Sequence, residues 1–207
     1  MTEAAGGLLS NTDDFRHVND FARHSGWLHG PMEAFATYGV VLFGLLLVAG
    51  LILARRRGDA RLMSGALLAC LGMLMAIAAN QPLVSAFHKT RPFVAMPQAL
   101  LLVKHSVDPG FPSDHAVMAG AVAAALFFVS LRLAWTGVVL ALVMAFARVY
   151  VGVHYPGDVL AGLAVGAVVA TVVVVALRRP VTSLVRRLEQ TPLRPLLSGP
   201  SRAPARV

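Results

Sequence analysis

Three short polar stretches interrupt a largely apolar chain: Lys89-Thr90-Arg91-Pro92, then Phe111-Pro112-Ser113-Asp114-His115, then Arg148 followed by His154 and Asp158. Between them they carry the groups needed to hold a phosphate and attack it with imidazole. Arginine grips a phosphate bidentately with a charge that never titrates away, and Pro92 fixes the backbone beside Arg91. Ser113 is well placed as the N-cap of the apolar run that follows, with Asp114 and His115 in the first turn. Backbone N–H groups and the positive end of the helix dipole make such a spot an anion cradle. His154 and Asp158 stand four apart, on one helical face. A carboxylate there can hold one imidazole N–H and leave the other nitrogen free to attack. Pro156-Gly157 suits the start of a helix, which puts His154 at its mouth and Arg148 a short loop away. Each stretch alone reads better as structure: a helix cap, a solvated loop arginine, an interfacial anchor. Their convergence from three consecutive helix ends points to chemistry, because ionisable residues at membrane depth default to function.

The elements that must position these groups are membrane helices. Of 207 residues, 57% are hydrophobic and 14% charged, with mean hydropathy +0.70; soluble domains carry about 25% charged residues. Five apolar runs read as spans: 34–54, 63–79 (extended toward Phe87), 116–131, 133–147 and 159–177. About 20 residues cross a bilayer, so the third and fourth are adequate only if the adjoining polar stretches are the wet ends of the same helices. Residues 11–29 place Phe15, Val18, Ala22 and Trp27 at helical spacing among Asp14, Arg16, Asp20 and Arg23, the pattern of an amphipathic helix at the interface or on the bundle rim. The first fifteen residues lack the basic start and apolar core of a signal peptide. The expectation is an all-α membrane protein: a multi-pass bundle of five transmembrane helices plus an N-terminal amphipathic helix. Residues 1–187 form the membrane domain, and 188–207, basic and Pro-rich, a disordered tail. No internal repeat is visible.

Charge sets the orientation. If the spans alternate, Arg55, Arg56, Arg57, Arg61, Arg132 and seven arginines from Arg178 onward share one side. Lys89, Arg91, Lys104, Arg148, Arg16 and Arg23 share the other. The bias of 12 against 6 makes the arginine-rich side cytoplasmic by the positive-inside rule. The polar stretches then face the outside of the cell. The net charge of +8 lies beside apolar runs rather than over a soluble face, so it signals orientation and anionic lipid, not nucleic acid. Other residues read as structure. Cys70 is a small hydrophobe that can form no intramolecular disulfide. Met73, Met75 and Met118 are core or lipid-facing, and His88 and His105 are interfacial. Tyr150 and Tyr155 fit an aromatic belt. Gly162 and Gly166 form a Gly-x-x-x-Gly suited to tight packing within the bundle.

The three stretches resemble the signature motifs of the type 2 phosphatidic acid phosphatase superfamily, over roughly residues 30–180. That pattern is Lys, six residues, Arg-Pro; Pro-Ser-Gly-His; and Ser-Arg, five residues, His, three residues, Asp. Arg91-Pro92, Pro112-Ser113 with His115, and Arg148 with His154 and Asp158 match it. The resemblance implies that His154 attacks phosphorus, oriented by Asp158, to form a phosphohistidine. It implies that His115 protonates the leaving oxygen and then helps activate water. Arg91, Arg148 and Ser113 would stabilise the equatorial phosphoryl oxygens. The arginines neutralise charge as a metal does elsewhere, so the family mechanism needs neither metal nor other cofactor. Three positions depart from the pattern: Val84 stands where the family lysine falls, Ala147 replaces the serine before Arg148, and Asp114 replaces a glycine. Lys89 is a candidate phosphate contact in place of the missing lysine. Asp114, beside the phosphate pocket, would pair with Lys89 or Lys104 or accept a proton.

Phe-Pro-Ser-Asp-His, Asn80-Gln81 and Arg91-Pro92-Phe93-Val94 in a small helical body are similar to the bacterial undecaprenyl-diphosphatases of the bacitracin-resistance type. These recycle the lipid carrier of peptidoglycan at the outer side of the bacterial plasma membrane. The resemblance therefore implies a lipid diphosphate substrate, and it leaves the oligomeric state open. Within the same chemistry the alternative is a phosphatidate or phosphatidylglycerophosphate phosphatase. A non-catalytic transporter or scaffold would not need His115, His154 and Asp158 at working spacing. A vanadate-binding peroxidase is chemically adjacent but ill-suited to so small a lipid-embedded body. If His154 must be neutral to attack and His115 protonated to act as acid, activity is bell-shaped with pH.

Overall fold

The computed structural model describes residues 12–104 and 108–198. Asn11, His105 and the tail from Gly199 onward fall outside the described residues. Helix α1 (Thr12–His24) leads through a short 3₁₀ turn into α2 (His29–Tyr38) and α3 (Val40–Arg57). Then come α4 (Ala60–Phe87), the single turn α5 (Pro92–Ala95), α6 (Asp114–Leu126), α7 (Leu131–Tyr150), α8 (Pro156–Leu188) and α9 (Arg194–Leu197).

Local chemistry sets the ends. Arg55-Arg56-Arg57 closes α3 and is followed by Gly58 at φ 61°, a left-handed cap that glycine adopts without a Cβ penalty. Asp59 opens α4 by accepting from the backbone N–H of Arg61 at 2.7 Å. Pro92 and Pro156 sit in the first turns of α5 and α8, where a missing N–H costs nothing.

By length and composition α4, α7 and α8 can each cross a membrane, and the pair α2–α3, bent by 54°, makes a fourth span if counted as one. The expectation of five spans is not reached on this criterion. The run beginning at Ala116 folds as α6, a helix of 13 residues, about 20 Å long against a hydrocarbon core of about 30 Å. Protein surrounds it, so it need not match the hydrocarbon thickness: α6 packs against α8, α7 and α4, and Ala116, Val117, Ala119, Ala121, Val122, Ala125 and Leu126 are fully enclosed. Its crossing with α8 depends on missing side chains. A Cβ on Gly166 would land on the Val117 carbonyl, and one on Gly162 would lie 2.7 Å from the Ser113 carbonyl. Both glycines thus face α6 inside the bundle.

Helix α1 turns Phe15 and Ala22 inward, while Trp27 beyond its end is 77% exposed. Neither tyrosine expected in an aromatic belt lies at the surface. Tyr150 is fully buried, and its hydroxyl donates to the Ser25 carbonyl at 3.0 Å. Tyr155 packs edge-on against Phe15. A buried phenol needs a polar partner, and the N-terminal segment supplies one for Tyr150. Of the segment expected to be disordered, residues 188–198 are described: the chain turns back through α9, and Arg55 donates to the Pro195 carbonyl at 2.7 and 2.9 Å.

Candidate active site

One end of the bundle collects all three polar stretches. Helix α4 stops at Phe87, and His88 turns the chain with φ 41°, delivering Lys89 and Arg91 to the mouth of α8. Arg91 is 5% exposed, and the turn 108–110 folds over it. Its Nε donates to the Asp108 carbonyl at 2.9 Å, and one terminal nitrogen donates to the Val153 carbonyl at 3.3 Å. The Asp108 carboxylate lies 3.4 Å from the other terminal nitrogen. A guanidinium held on three sides cannot swing away, so its remaining donor direction is fixed.

That direction is His154. A terminal nitrogen of Arg91 stands 3.2 Å from His154 Nε2, and His154 Nδ1 stands 2.9 Å from the Gly110 carbonyl. A carbonyl oxygen can only accept and a guanidinium can only donate. The proton therefore sits on Nδ1, and the lone pair sits on Nε2, facing Arg91. Asp158 Oδ2 lies 3.7 Å from the same Nδ1, so the Gly110 carbonyl holds the proton and the carboxylate stands behind it. Burial, reinforced by Arg148 and Arg91 against the opposing pull of Asp158, lowers the His154 pKa to about 4. At neutral pH this imidazole is uncharged, with its Nε2 lone pair turned toward Arg91.

Asp158 is fixed by the helix it opens. It is 1% exposed; Oδ2 accepts from the backbone N–H of Tyr155 at 2.8 Å, and Oδ1 accepts from Lys89 Nζ at 2.5 Å. Lys89 Nζ also lies over the rings of Tyr155 and Phe111. The Ser113 backbone N–H donates to the Asp158 carbonyl at 3.1 Å, tying the N-termini of α6 and α8 together. Arg148, in the last turn of α7, is 4% exposed and donates to the Ala36 carbonyl at 3.2 Å.

Among the described residues, two donors at this end are buried without a partner: the Ser113 hydroxyl and Arg148 Nε. Ser113 occupies the N-cap position of α6, yet its side chain makes no capping bond. Buried polar atoms left unsatisfied are costly, and both of these lie at the end of the bundle that holds His154. His115 follows in the first turn of the same helix. Arg91, Arg148, His154 and Asp158 thus converge with Ser113 and Lys89 at one end of α4, α6, α7 and α8.

Asp114 meets neither lysine. Its Oδ1 accepts from Asn80 Nδ2 at 2.7 Å and from Gln81 Nε2 at 3.3 Å. Asn80, fully buried, also donates to the Pro112 carbonyl at 3.2 Å. The extra carboxylate is satisfied by side-chain amides from α4, which pin the start of α6. Asp108, Gly110 and the Ala36 carbonyl escaped the sequence reading. Asp108-Pro109-Gly110 is a turn signal, but nothing in it says that the turn closes over Arg91. Among the described residues, no group of three or more His, Cys, Asp or Glu is placed to hold a metal ion.

Comparison with known proteins places the chain in a family. Residues 65–181 match the PAP2 superfamily. The chain is 27% identical over 193 residues to the undecaprenyl-diphosphatase BcrC of Bacillus subtilis, covering 92% of this chain and 97% of that protein. It is 30% identical over 156 residues to the bacitracin transport permease protein BcrC of Bacillus licheniformis, 75% of each chain. The crystal structure of the first transmembrane PAP2-type phosphatidylglycerolphosphate phosphatase from Bacillus subtilis shares the fold. It aligns with a TM-score of 0.64 at 23% identity, over 82% of this chain and 87% of that one.

Proposed function

Because the chain belongs to the PAP2 superfamily, we propose that it is an undecaprenyl-diphosphatase, cleaving undecaprenyl diphosphate to undecaprenyl phosphate and inorganic phosphate. The observation that carries the chemistry is the His154 ring: buried, neutral, its proton committed to Gly110 and its Nε2 lone pair facing Arg91. The substrate follows from similarity to the Bacillus subtilis undecaprenyl-diphosphatase along nearly the full length of both chains. The Asp114 signature and its Asn80-Gln81 partners point the same way.

In the proposed reaction the terminal phosphoryl group enters between Arg91, Arg148 and Ser113, taking the free donors of the last two. His154 Nε2 attacks phosphorus, and the bond to the bridging oxygen breaks. His115 gives its proton to that oxygen, releasing the lipid monophosphate. The ring, now phosphorylated on Nε2 and carrying its proton on Nδ1, is cationic. Asp158, 3.7 Å from Nδ1, stabilises that charge. Water then loses a proton to His115 and attacks phosphorus, the P–N bond breaks, and neutral His154 returns. Phosphoryl transfer of this kind depends on positioning and charge neutralisation. The arginine bias of the sequence supports a plasma-membrane enzyme whose catalytic end faces the extracytoplasmic side, with five membrane-embedded helices if the enclosed α6 is counted.

The test is phosphate release by the detergent-purified protein with EDTA present, comparing undecaprenyl diphosphate, phosphatidate and phosphatidylglycerophosphate, with His154→Ala as the blank. Turnover of the polyprenyl diphosphate that vanishes in the variant supports the proposal. Preference for a glycerolipid keeps the mechanism and overturns the substrate. No release from any of the three overturns the enzyme reading.

A further inference from the structure

The end of the bundle opposite His154 holds a second cluster of arginines, arranged differently from the first. Arg61 in the first turn of α4 faces Arg178, Arg179 and Arg186 on α8 across a cavity of about 440 Å³, with Thr182 and Ser183 completing its wall. Arg178 and Thr182, and Arg179 and Ser183, are four apart, and Arg186 follows one turn later, so all lie on one face of α8. The Thr182 hydroxyl in this wall is hydrogen-bonded to the Ser64 hydroxyl of α4 at 2.7 Å. Among the described residues no carboxylate lines the cavity. None of the four guanidiniums has an ion-pair partner among the described residues. Asp59, next to Arg61, spends its carboxylate on the backbone N–H groups of Arg61 and Leu62.

Four like charges around one concavity repel one another unless an anion enters, and forked guanidiniums match the oxygens of a phosphate. The position along α8 says which phosphate. Thr182 lies 24 residues beyond Asp158, about 36 Å along a helix, just past the hydrocarbon thickness. Val175 and Leu177, on the turns that lead into the cavity from the membrane side, are exposed, as side chains facing acyl chains are. We propose that this cavity is a binding site for the phosphate headgroup of an anionic phospholipid in the leaflet opposite the catalytic cluster, with the acyl chains lying along the apolar surface of α8. The site is independent of the catalytic reading.

The test uses the full chain in detergent, titrated with phosphatidylglycerol, phosphatidylcholine or inorganic phosphate and read by native mass spectrometry. Arg179→Gln combined with Arg186→Gln removes two cavity charges. Arg56→Gln combined with Arg132→Gln removes two charges from the same end outside the cavity. The wild type should retain phosphatidylglycerol in preference to phosphatidylcholine, and excess inorganic phosphate should compete with it. The cavity pair should weaken retention by about tenfold or more, as expected for losing charge-assisted bonds, while the outside pair stays within about twofold. Arg179→Lys with Arg186→Lys should recover part of the loss, which a folding defect would not. Equal losses in both glutamine pairs would mean diffuse attraction to a basic surface and overturn the site. No preference for phosphatidylglycerol would overturn it as well, and phosphate binding without lipid retention would overturn the lipid assignment.

Discussion

The two ends of the bundle use the same side chain in opposite ways. At the His154 end Arg91 and Arg148 are about 95% buried, each tied to backbone carbonyls. At the other end Arg61, Arg179 and Arg186 lie exposed around an open cavity. Burial strengthens electrostatic interactions and fixes geometry; exposure leaves a mobile charge screened by water. The first arrangement suits a charge that must meet a transition state at one position. The second suits a charge that attracts an anion without orienting it for reaction.

The comparison is sharpest at His154, which has no counterpart at the arginine-rich end. His154→Ala should lower kcat by on the order of 10⁴-fold or more, the scale of losing a nucleophile, with the helical circular dichroism unchanged. Arg91→Lys or Arg148→Lys should follow at roughly 10²-fold in kcat/KM, because an ammonium keeps the charge but loses the planar fork and the carbonyl contacts that hold it. If either lysine variant were as active as the wild type, burial and geometry would not distinguish the two ends.

Acidity tests the same contrast by titration. With His154 lowered from 6.5 to about 4 by burial, the ring stays neutral through the mildly acidic range. The acid limb of kcat/KM should therefore break near pH 4, falling about tenfold per unit below it. Folding stability carries the matching sign. Between pH 6.5 and 4 the unfolded chain takes a proton that the folded chain refuses, so stability falls as pH falls through that window and is unaffected above it. An acid limb near 6.5 would show the ring open to water.

Smaller effects are expected from the supporting amide. Asn80→Ala removes the donor to both Asp114 and the Pro112 carbonyl. It should cost about 1–3 kcal/mol by thermal unfolding in detergent, with a fall in kcat of about tenfold as the start of α6 loosens. At the other end Arg56→Gln, exposed and unpaired among the described residues, should leave turnover and stability within about twofold and 0.5 kcal/mol.

How far the primary structure reaches is visible residue by residue. Apolar runs bounded by arginine, and the spacing of His154 and Asp158, are local properties. The first sets membrane helices through hydrocarbon thickness, and the second sets a shared helical face through 3.6 residues per turn. The sequence by itself therefore determined apolar helices and the polar stretches at their ends, and the likeness of those stretches to the signature motifs of a phosphatase superfamily added the activity. Tertiary structure decided the rest. Only the folded bundle shows that α6 is enclosed by protein, so a run read as a full span needs just 13 residues. Only there does Asp114 meet Asn80 and Gln81 rather than a lysine, and the Gly110 carbonyl, 44 residues away, fix the proton of His154. Periodicity reports what a residue's own helix needs. Which carbonyl or amide it meets from a distant helix depends on how the helices cross, and that is set by packing of the whole core.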